Sequence, residues 1–354
     1  MRTDALERLR QATTEAGADA LLISSAPNVR YLSGFSTPAD GWVLLTEAAA
    51  TLVTDGRYTA QAAEESRLPV EVLPLQGERL VNLAALVKGK RLAAEAHDMT
   101  LKTASILEEQ LGSKLIPTSD LVADLRTIKT SAELGALRAA AKLTDEAFAH
   151  ILNHLAPGQS ETDIALELER YLRLNGAERI AFDITVASGK RSAMPHGTAS
   201  QKRLAEGELV TLDFGAVVNG YHADMTRTVA LGEVSDQHAQ LYQAVLEAQE
   251  AALTAAAPGK DGKAVDAVAR SVLESHGLAE AFSHSLGHGV GLAIHEAPRL
   301  SPNVSVTLQP GMAVTIEPGA YLPGDAGVRI EDLVVITEAG AERLSHSDKA
   351  FLKL

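Results

Sequence analysis

The 354-residue chain contains no cysteine. That excludes disulfides, thiolate metal ligands and a thiol nucleophile, and it agrees with a reducing compartment. Positive charge is in deficit, with 32 Lys and Arg against 46 Asp and Glu and a net charge of −14. Nucleic acid and anionic membrane are therefore not expected partners, since there is no basic stripe for either. No hydrophobic run reaches membrane-spanning length. The opening stretch MRTDALERLRQATTEAGADALLIS reads as a charged amphipathic helix and a short apolar strand rather than a signal peptide, so the cytoplasm is the expected location. No glycine-rich phosphate loop follows a strand candidate in the first third, which leaves a nucleotide site without support. No HExxH helix is present either, so a mononuclear zinc-protease site is not indicated.

What is present is an ordinary globular composition, 46% hydrophobic and 22% charged, in a chain long enough for two domains. Up to about residue 125, helical patterns near 3–17, 57–66, 77–88 and 99–112 alternate with the strand candidates ADALLIS, WVLLTE, ATLVTD, VEVLPL and RLAAEA. This predicts an α/β domain over 1–125. In TDGRY, Arg57 and Tyr58 read as a helix start with a packed tyrosine. A boundary falls at DLRTIKTSAEL, where Thr130 and Glu133 have capping-box spacing and open a long helix to about Leu155. The second domain is expected over 126–354.

That domain is organised around VTLDFGAVVNGYHADMTRT, residues 210–228. Asn219-Gly220 is a strong type I′ hairpin signal. With Val218 opposite Tyr221, Asp213 faces Thr226 and Asp224 sits one diagonal step away on the same face. Two carboxylates on one apolar hairpin either face solvent or share a positive object. The second alternative gains weight because the hairpin recurs: MAVTIEPGAYLPGDAGVRIEDLVV, from 312 to 335, aligns Glu317 with Asp213 and Glu331 with Asp224. The preceding helices repeat as well, LAPGQSETDIALELERYLRLNGAE against AAPGKDGKAVDAVARSVLESHGLAE. Helix plus hairpin, duplicated, would set four carboxylates about a pseudo-twofold axis, and four converging acids imply cations. Two further segments hold histidines: AFDITVASGKRSAMPHGT ends at His196, and SHSLGHGVGLAIHEAP carries His284, His288 and His295. Glycines at 287, 289 and 291 let other groups approach His288 closely. His222, two residues before Asp224 and on its face in this register, reads as a hairpin-end histidine near solvent, with a supporting or substrate contact as the alternative.

The ordered set Asp213, Asp224, His288, Glu317 and Glu331, in the contexts LDFGA, ADMTRT, LGHGVG, TIEPG and RIED, resembles the dinuclear metallopeptidases of the pita-bread fold. Their relatives include methionine aminopeptidases, Xaa-Pro aminopeptidases, prolidases and the metal-free creatinases. The resemblance spans roughly residues 130 to 350. YLSGF and TDGRY resemble the creatinase-type N-terminal domain of the proline-specific branch, and MPHG fits that branch, although AFDITVASG departs from its usual DTIVASG order. The implied fold is a creatinase-like α/β domain followed by an α+β pita-bread domain with an internal pseudo-twofold duplication.

The resemblance also implies roles. Asp224 and Glu331 would bridge two divalent ions, Asp213 would hold one, and His288 with Glu317 the other. Mn²⁺ is the first expectation, with Co²⁺, Zn²⁺ or Fe²⁺ as alternatives. Glu317 would orient a water and accept its proton, and His196 and His295 would contact substrate carbonyls and help protonate the leaving nitrogen. Thr226 and Thr228 would steady Asp213 and its neighbours. Arg329 would neutralise a carboxylate or bind the substrate's C-terminus. The expected activity is hydrolysis of the Xaa-Pro bond in short proline-containing peptides by a homodimer. It inclines to the dipeptidase (prolidase), with Xaa-Pro aminopeptidase as the alternative; the choice rests on loops such as STPADGW, 36–42. A non-catalytic pita-bread module is disfavoured because no ligand is lost, and a methionine aminopeptidase by the long N-terminal domain.

Overall fold

The computed structural model describes residues 4–74 and 78–354. Residues 3 and 77 of the expected helices, and Leu75 of VEVLPL, lie outside the described residues. The chain forms two compact units, the first ending at Arg126 and the second starting at Thr127.

The first unit is a mixed sheet in the order β4-β3-β2-β1-β5-β6. Its strands are β1 (Ala20–Ile23), β2 (Trp42–Thr46), β3 (Ala50–Asp55), β4 (Val70–Leu73), β5 (Leu92–Glu95) and β6 (Ile116–Thr118). The helices are α1 (Ala5–Glu15), α2 (Ala26–Ser33), α3 (Thr59–Glu65), α4 (Arg79–Leu86), α5 (Leu101–Leu111) and α6 (Leu121–Thr127). Every residue of β1 and β5 is buried, as expected of short apolar runs covered on both faces. The helix α2 was not legible in its polar sequence. It starts with Pro27 in its first turn and stops at Gly34, whose φ of +81° ends the helix in a left-handed cap. Tyr58 is packed as expected, edge-on to Phe35 with its hydroxyl donating to Asp40 at 2.7 Å.

The second unit opens with α7 (Ser131–Ile151), started by a complete Thr130–Glu133 capping box. There follow α8 (Glu161–Leu174), β7 (Arg179–Ile180) and β8 (Thr185–Ser188). The first hairpin comprises β9 (Glu208–Phe214), β10 (Ala216–Val218), β11 (Tyr221–His222) and β12 (Met225–Leu231). After α9 (Asp236–Ala255) and α10 (Gly262–Ser275) come β13 (Gly287–Gly289) and β14 (Glu296–Leu300). The second hairpin comprises β15 (Ala313–Ile316), β16 (Gly319–Tyr321), β17 (Gly327–Arg329) and β18 (Asp332–Thr337), with β19 (Gly340–Arg343) closing the edge.

Asn219 and Gly220 both take positive φ, 51° and 82°, the type I′ geometry. Val218 pairs with Tyr221 and Asp213 with Thr226, the register expected from that turn. Each hairpin is backed by helices. Leu143, Phe148, Ile164 and Leu168 pack with Leu212, Phe214 and Val229 in the first half. Val245, Ala248, Ala269 and Leu273 pack with Val314, Ile316 and Val334 in the second. Burial of each large aliphatic side chain contributes about 1.5–3 kcal/mol. Both helices preceding a hairpin core follow a left-handed glycine, Gly158 or Gly259, and begin with a side-chain cap, Ser160 or Asp261. The second unit is thus the duplicated pita-bread arrangement. Arg227 of β12 and Asp332 of β18 form a buried ion pair at 2.7 Å across its seam. No helix among the described residues is long and apolar enough to cross a membrane.

Candidate metal centre

Both hairpins break in the middle, and the acids sit at or beside the breaks. Asp213 is the penultimate residue of β9, and Asp224 falls between β11 and β12. Glu317 falls between β15 and β16, and Glu331 between β17 and β18. Glycine makes the first break possible, because a Cβ on Gly215 would lie 1.8 Å from the Ala223 carbonyl oxygen. The two hairpins meet there through their backbones, Glu331 N–H donating to Thr226 C=O at 3.1 Å. Glu317 N–H donates to Leu286 C=O at 2.8 Å, which draws in β13. A Cβ on Gly287 would sit 2.0 Å from Thr315 O, so only glycine lets His288 reach the same place.

All four acids and His288 line one cavity of about 460 Å³, together with His196, His295 and Arg329. His288 Nε2 lies 3.5 Å from Asp224 Oδ2 and 3.2 Å from Glu317 Oε1. Donor atoms of Asp224, His288 and Glu331 fall within 4.8 Å of one another. His288 Nδ1–H donates to Gly289 C=O at 3.1 Å. That bond leaves Nε2 to face the carboxylates, where it donates to Glu317 when the ring is protonated and offers a lone pair to a cation when it is neutral.

Burial first, and then Glu331, Asp213 and Glu317, push the Asp224 carboxyl well above its ordinary range. Burial, Glu317 and Asp213 do the same to Glu331. Asp213 is raised by burial against the opposing charge of Arg329. Burial would raise Glu317 too, but the hydrogen bond and charge of His288 hold it down at about 2. Burial lowers His288, and the hydrogen bond and charge of Glu317 more than reverse this. Burial and the His288 charge lower His295.

Two buried carboxylate oxygens, Asp213 Oδ1 and Glu331 Oε1, have no hydrogen-bond partner. Buried carboxylate oxygens left without a partner are electrostatically costly unless cations lie among them. Hard oxygens with one imidazole suit borderline divalent ions. The donor set fits a metal.

The threonines act across the seam. Thr226 Oγ–H donates to Glu331 Oε2 at 2.7 Å and its oxygen accepts from Arg329 Nε at 3.0 Å. Thr228 Oγ–H donates to the Arg329 carbonyl at 3.0 Å, supporting the arginine that holds Asp213. Arg329 is buried. It donates to Asp213 Oδ2 at 2.6 Å, to Tyr321 Oη at 2.8 Å and to Pro195 O at 3.0 Å.

His222 corrects its expectation. It is 4% exposed, not at solvent. Its Nδ1–H donates to Gly291 C=O at 3.0 Å and its Nε2 accepts from Arg179 at 3.1 Å. It thereby pins the first hairpin to the glycine-rich segment that carries His288.

Several contributors escaped the sequence reading. Phe182 and Arg299 line the cavity, as does His284, which the sequence names without a role, and Tyr321 bonds both His284 and Arg329. Tyr321 shared a signal, since it lies four residues after Glu317 on the same strand parity. Arg299 had none. Buried Glu161 of α8 anchors the loop that leads to His196, accepting from Ser188 Oγ at 2.8 Å, Arg191 Nε at 2.9 Å and Ser200 Oγ at 2.6 Å.

The profile of metallopeptidase family M24 matches residues 135–338, and that of the creatinase/prolidase N-terminal domain matches residues 6–128. The chain is 38% identical over 340 residues to an Xaa-Pro dipeptidase of Pyrococcus horikoshii, covering 94% of each. A solved Xaa-Pro dipeptidase from Bacillus anthracis shares 43% identity and superimposes with a TM-score of 0.95 over 99% of both chains. A solved X-Pro aminopeptidase from Thermotoga maritima shares 37% identity, with a TM-score of 0.88 over 97% of this chain and 100% of that one.

Proposed function

The chain belongs to metallopeptidase family M24, and from that premise we propose that it is an Xaa-Pro dipeptidase working at a dinuclear divalent-metal centre. The observation that carries the reading is the pair of buried, unpartnered oxygens, Asp213 Oδ1 and Glu331 Oε1, in a cavity shared by four carboxylates and His288. Asp224 and Glu331 would face both ions, Asp213 one, and His288 with Glu317 the other. Bound there, the ions supply an acidified water and a polarised scissile carbonyl.

The remaining work falls to side chains. Glu317 is the acceptor for the water's proton. Without metal, a hydrogen bond from protonated His288, at 3.2 Å, lowers its proton affinity. His295, whose proton affinity burial lowers, donates an N–H to the substrate carbonyl. His196, which also lines the cavity, serves proton delivery to the leaving nitrogen. That nitrogen belongs to a tertiary amide and carries no hydrogen of its own. Arg329 is committed to Asp213, Tyr321, Thr226 and Pro195, which favours charge compensation over substrate binding for this residue. Arg299, exposed on β14 at the cavity lining, is the cation suited to a dipeptide's free carboxylate.

Mn²⁺ as first metal is supported by the oxygen-rich donor set. A cytoplasmic setting is supported by the cysteine-free composition, and a homodimer by the family resemblance alone. The likeness to the Thermotoga aminopeptidase favours a second reading, action on tripeptides and longer peptides. Side-by-side hydrolysis of an Xaa-Pro dipeptide and an Xaa-Pro-Xaa tripeptide by Mn²⁺-loaded enzyme, with a chelated control, separates the two. The dipeptide is expected to be preferred, and Arg299→Ala to raise its KM selectively. Tripeptide preference would replace the first reading with the second, and undiminished hydrolysis in chelator would remove both.

A further inference from the structure

Away from the cavity, His150, His154 and Glu167 each offer one ligand atom, all within 4.8 Å of one another. We propose that these three side chains form a second metal site, for Zn²⁺ or a similar borderline transition ion, which ties the end of α7 to α8.

His150 lies in the last turn of α7, His154 in the turn that follows it, and Glu167 in the middle of α8. His150 Nε2 is 2.6 Å from Glu167 Oε1, and His154 Nε2 is 4.0 Å from the same oxygen. Tetrahedral ligands about Zn²⁺ stand roughly 3.3 Å apart, so small side-chain rotations bring both separations to that value. His154 Nδ1–H donates to the His150 carbonyl at 3.1 Å, which leaves the Nε2 lone pair of the neutral ring available to ligate an ion. The His150 ring is stacked on Tyr171, centroids 4.4 Å apart at 23°, so its plane is set in advance. Arg170 donates to both Glu167 oxygens at 2.9 Å. It orients the carboxylate and, by its charge, keeps affinity modest. Glu167 is held at about 2 by Arg170 and then His150, so it is ionised wherever the histidines are neutral. The C-terminal end of α7 adds partial negative charge beside the cation. Two imidazoles and one carboxylate, with a position left for water, make a donor set that zinc accepts.

Such an ion would join two helices whose inner faces share the core of the first half. It would stabilise the folded chain by mass action. The test counts metal rather than turnover. Wild type, His150→Asn/His154→Asn and Glu167→Gln, each with the residues at 213–331 intact, are dialysed against low-micromolar Zn²⁺ and analysed for bound metal and Tm. The double variant is expected to bind one equivalent fewer and to lose part of the zinc-dependent rise in Tm. Glu167→Gln, which keeps the side-chain shape, is expected to bind that equivalent more weakly. Equal zinc content in wild type and the double variant overturns the proposal and leaves a histidine–glutamate ion pair. If the double variant does not fold, unchanged zinc affinity in Glu167→Gln overturns it equally. The difference between variants cancels whatever the cavity binds, so the result is independent of the proposed activity.

Discussion

The two hairpins of the second unit each carry two acids, Asp213 and Asp224 in the first and Glu317 and Glu331 in the second, but treat the residue two places before the second acid differently. In the first hairpin that residue is His222, which turns to Gly291 and Arg179. In the second it is Arg329, which crosses the seam to Asp213. The acids also sit differently. Asp213 is opposite Thr226, whereas the register on either side of the second break, Ile316 with Asp332 and Gly319 with Arg329, sets Glu317 opposite Glu331. Duplication accounts for four carboxylates, and divergence for how their charge is tolerated. One half supplies a guanidinium to the other half's aspartate, and the other half spends its equivalent position on fixing the histidine-bearing segment.

The largest expected effect comes from breaking the symmetric part of the comparison. Asp224→Asn or Glu331→Gln should each lower kcat/KM by more than about a hundredfold, beyond what loss of a supporting partner costs. Either change should nonetheless raise the Tm of the metal-free protein near neutral pH, since it removes a charge that burial opposes. Full activity in either variant would contradict the bridging roles.

The asymmetric part is tested next. In chelator, Arg329→Gln should cost about 3–5 kcal/mol by denaturant unfolding, because it strands a buried carboxylate. His222→Asn at the equivalent position should cost about 1–3 kcal/mol, the range for a broken buried hydrogen bond. Equal costs would erase the contrast.

The pH dependence of the metal-free protein sharpens it further. Asp224 and Glu331 are raised above their ordinary values of 3.8 and 4.5, so the stability they allow is present below those values and is lost as pH rises. Glu317, held at about 2, contributes in the opposite sense: its stability is present above its ordinary 4.5 and is lost as pH falls from there toward 2. Metal-free Tm should therefore peak at about pH 4–5 from these groups and decline toward pH 8, and divalent ions should flatten the decline. A metal-free Tm that climbs steadily from pH 5 to 8 would count against the charge accounting. The smallest effect concerns the turns. Gly220→Ala and Gly324→Ala, at φ of +82° and +81°, should each cost about 1 kcal/mol in thermal unfolding and leave metal content unchanged.

Much of this arrangement was legible because it is local or periodic. Asn219-Gly220 dictates a turn, the turn dictates a register, and strand parity carries Asp213 and Asp224 to one face. The internal repeat extends that inference to Glu317 and Glu331 without any further assumption. The parts that were not legible depend on contacts between distant segments. Nothing local says that Arg329 meets Asp213, that Thr226 serves Glu331, or that His222 is buried against Gly291. The helix α2 was missed for a different reason: its polar residues include Asn28, buried at 1% exposure, so periodicity of apolar residues did not mark it.

The seam between the hairpins has a consequence for how the protein comes into being. Thr226 meets Glu331, and Arg227 meets Asp332, each across 105 residues of chain. The first hairpin is synthesised before its counterpart, and neither half alone carries all five residues of the proposed centre. In the proposed centre, metal capture would therefore follow docking of the halves. The ions that the folded apoprotein meets would then decide which metal that centre acquires.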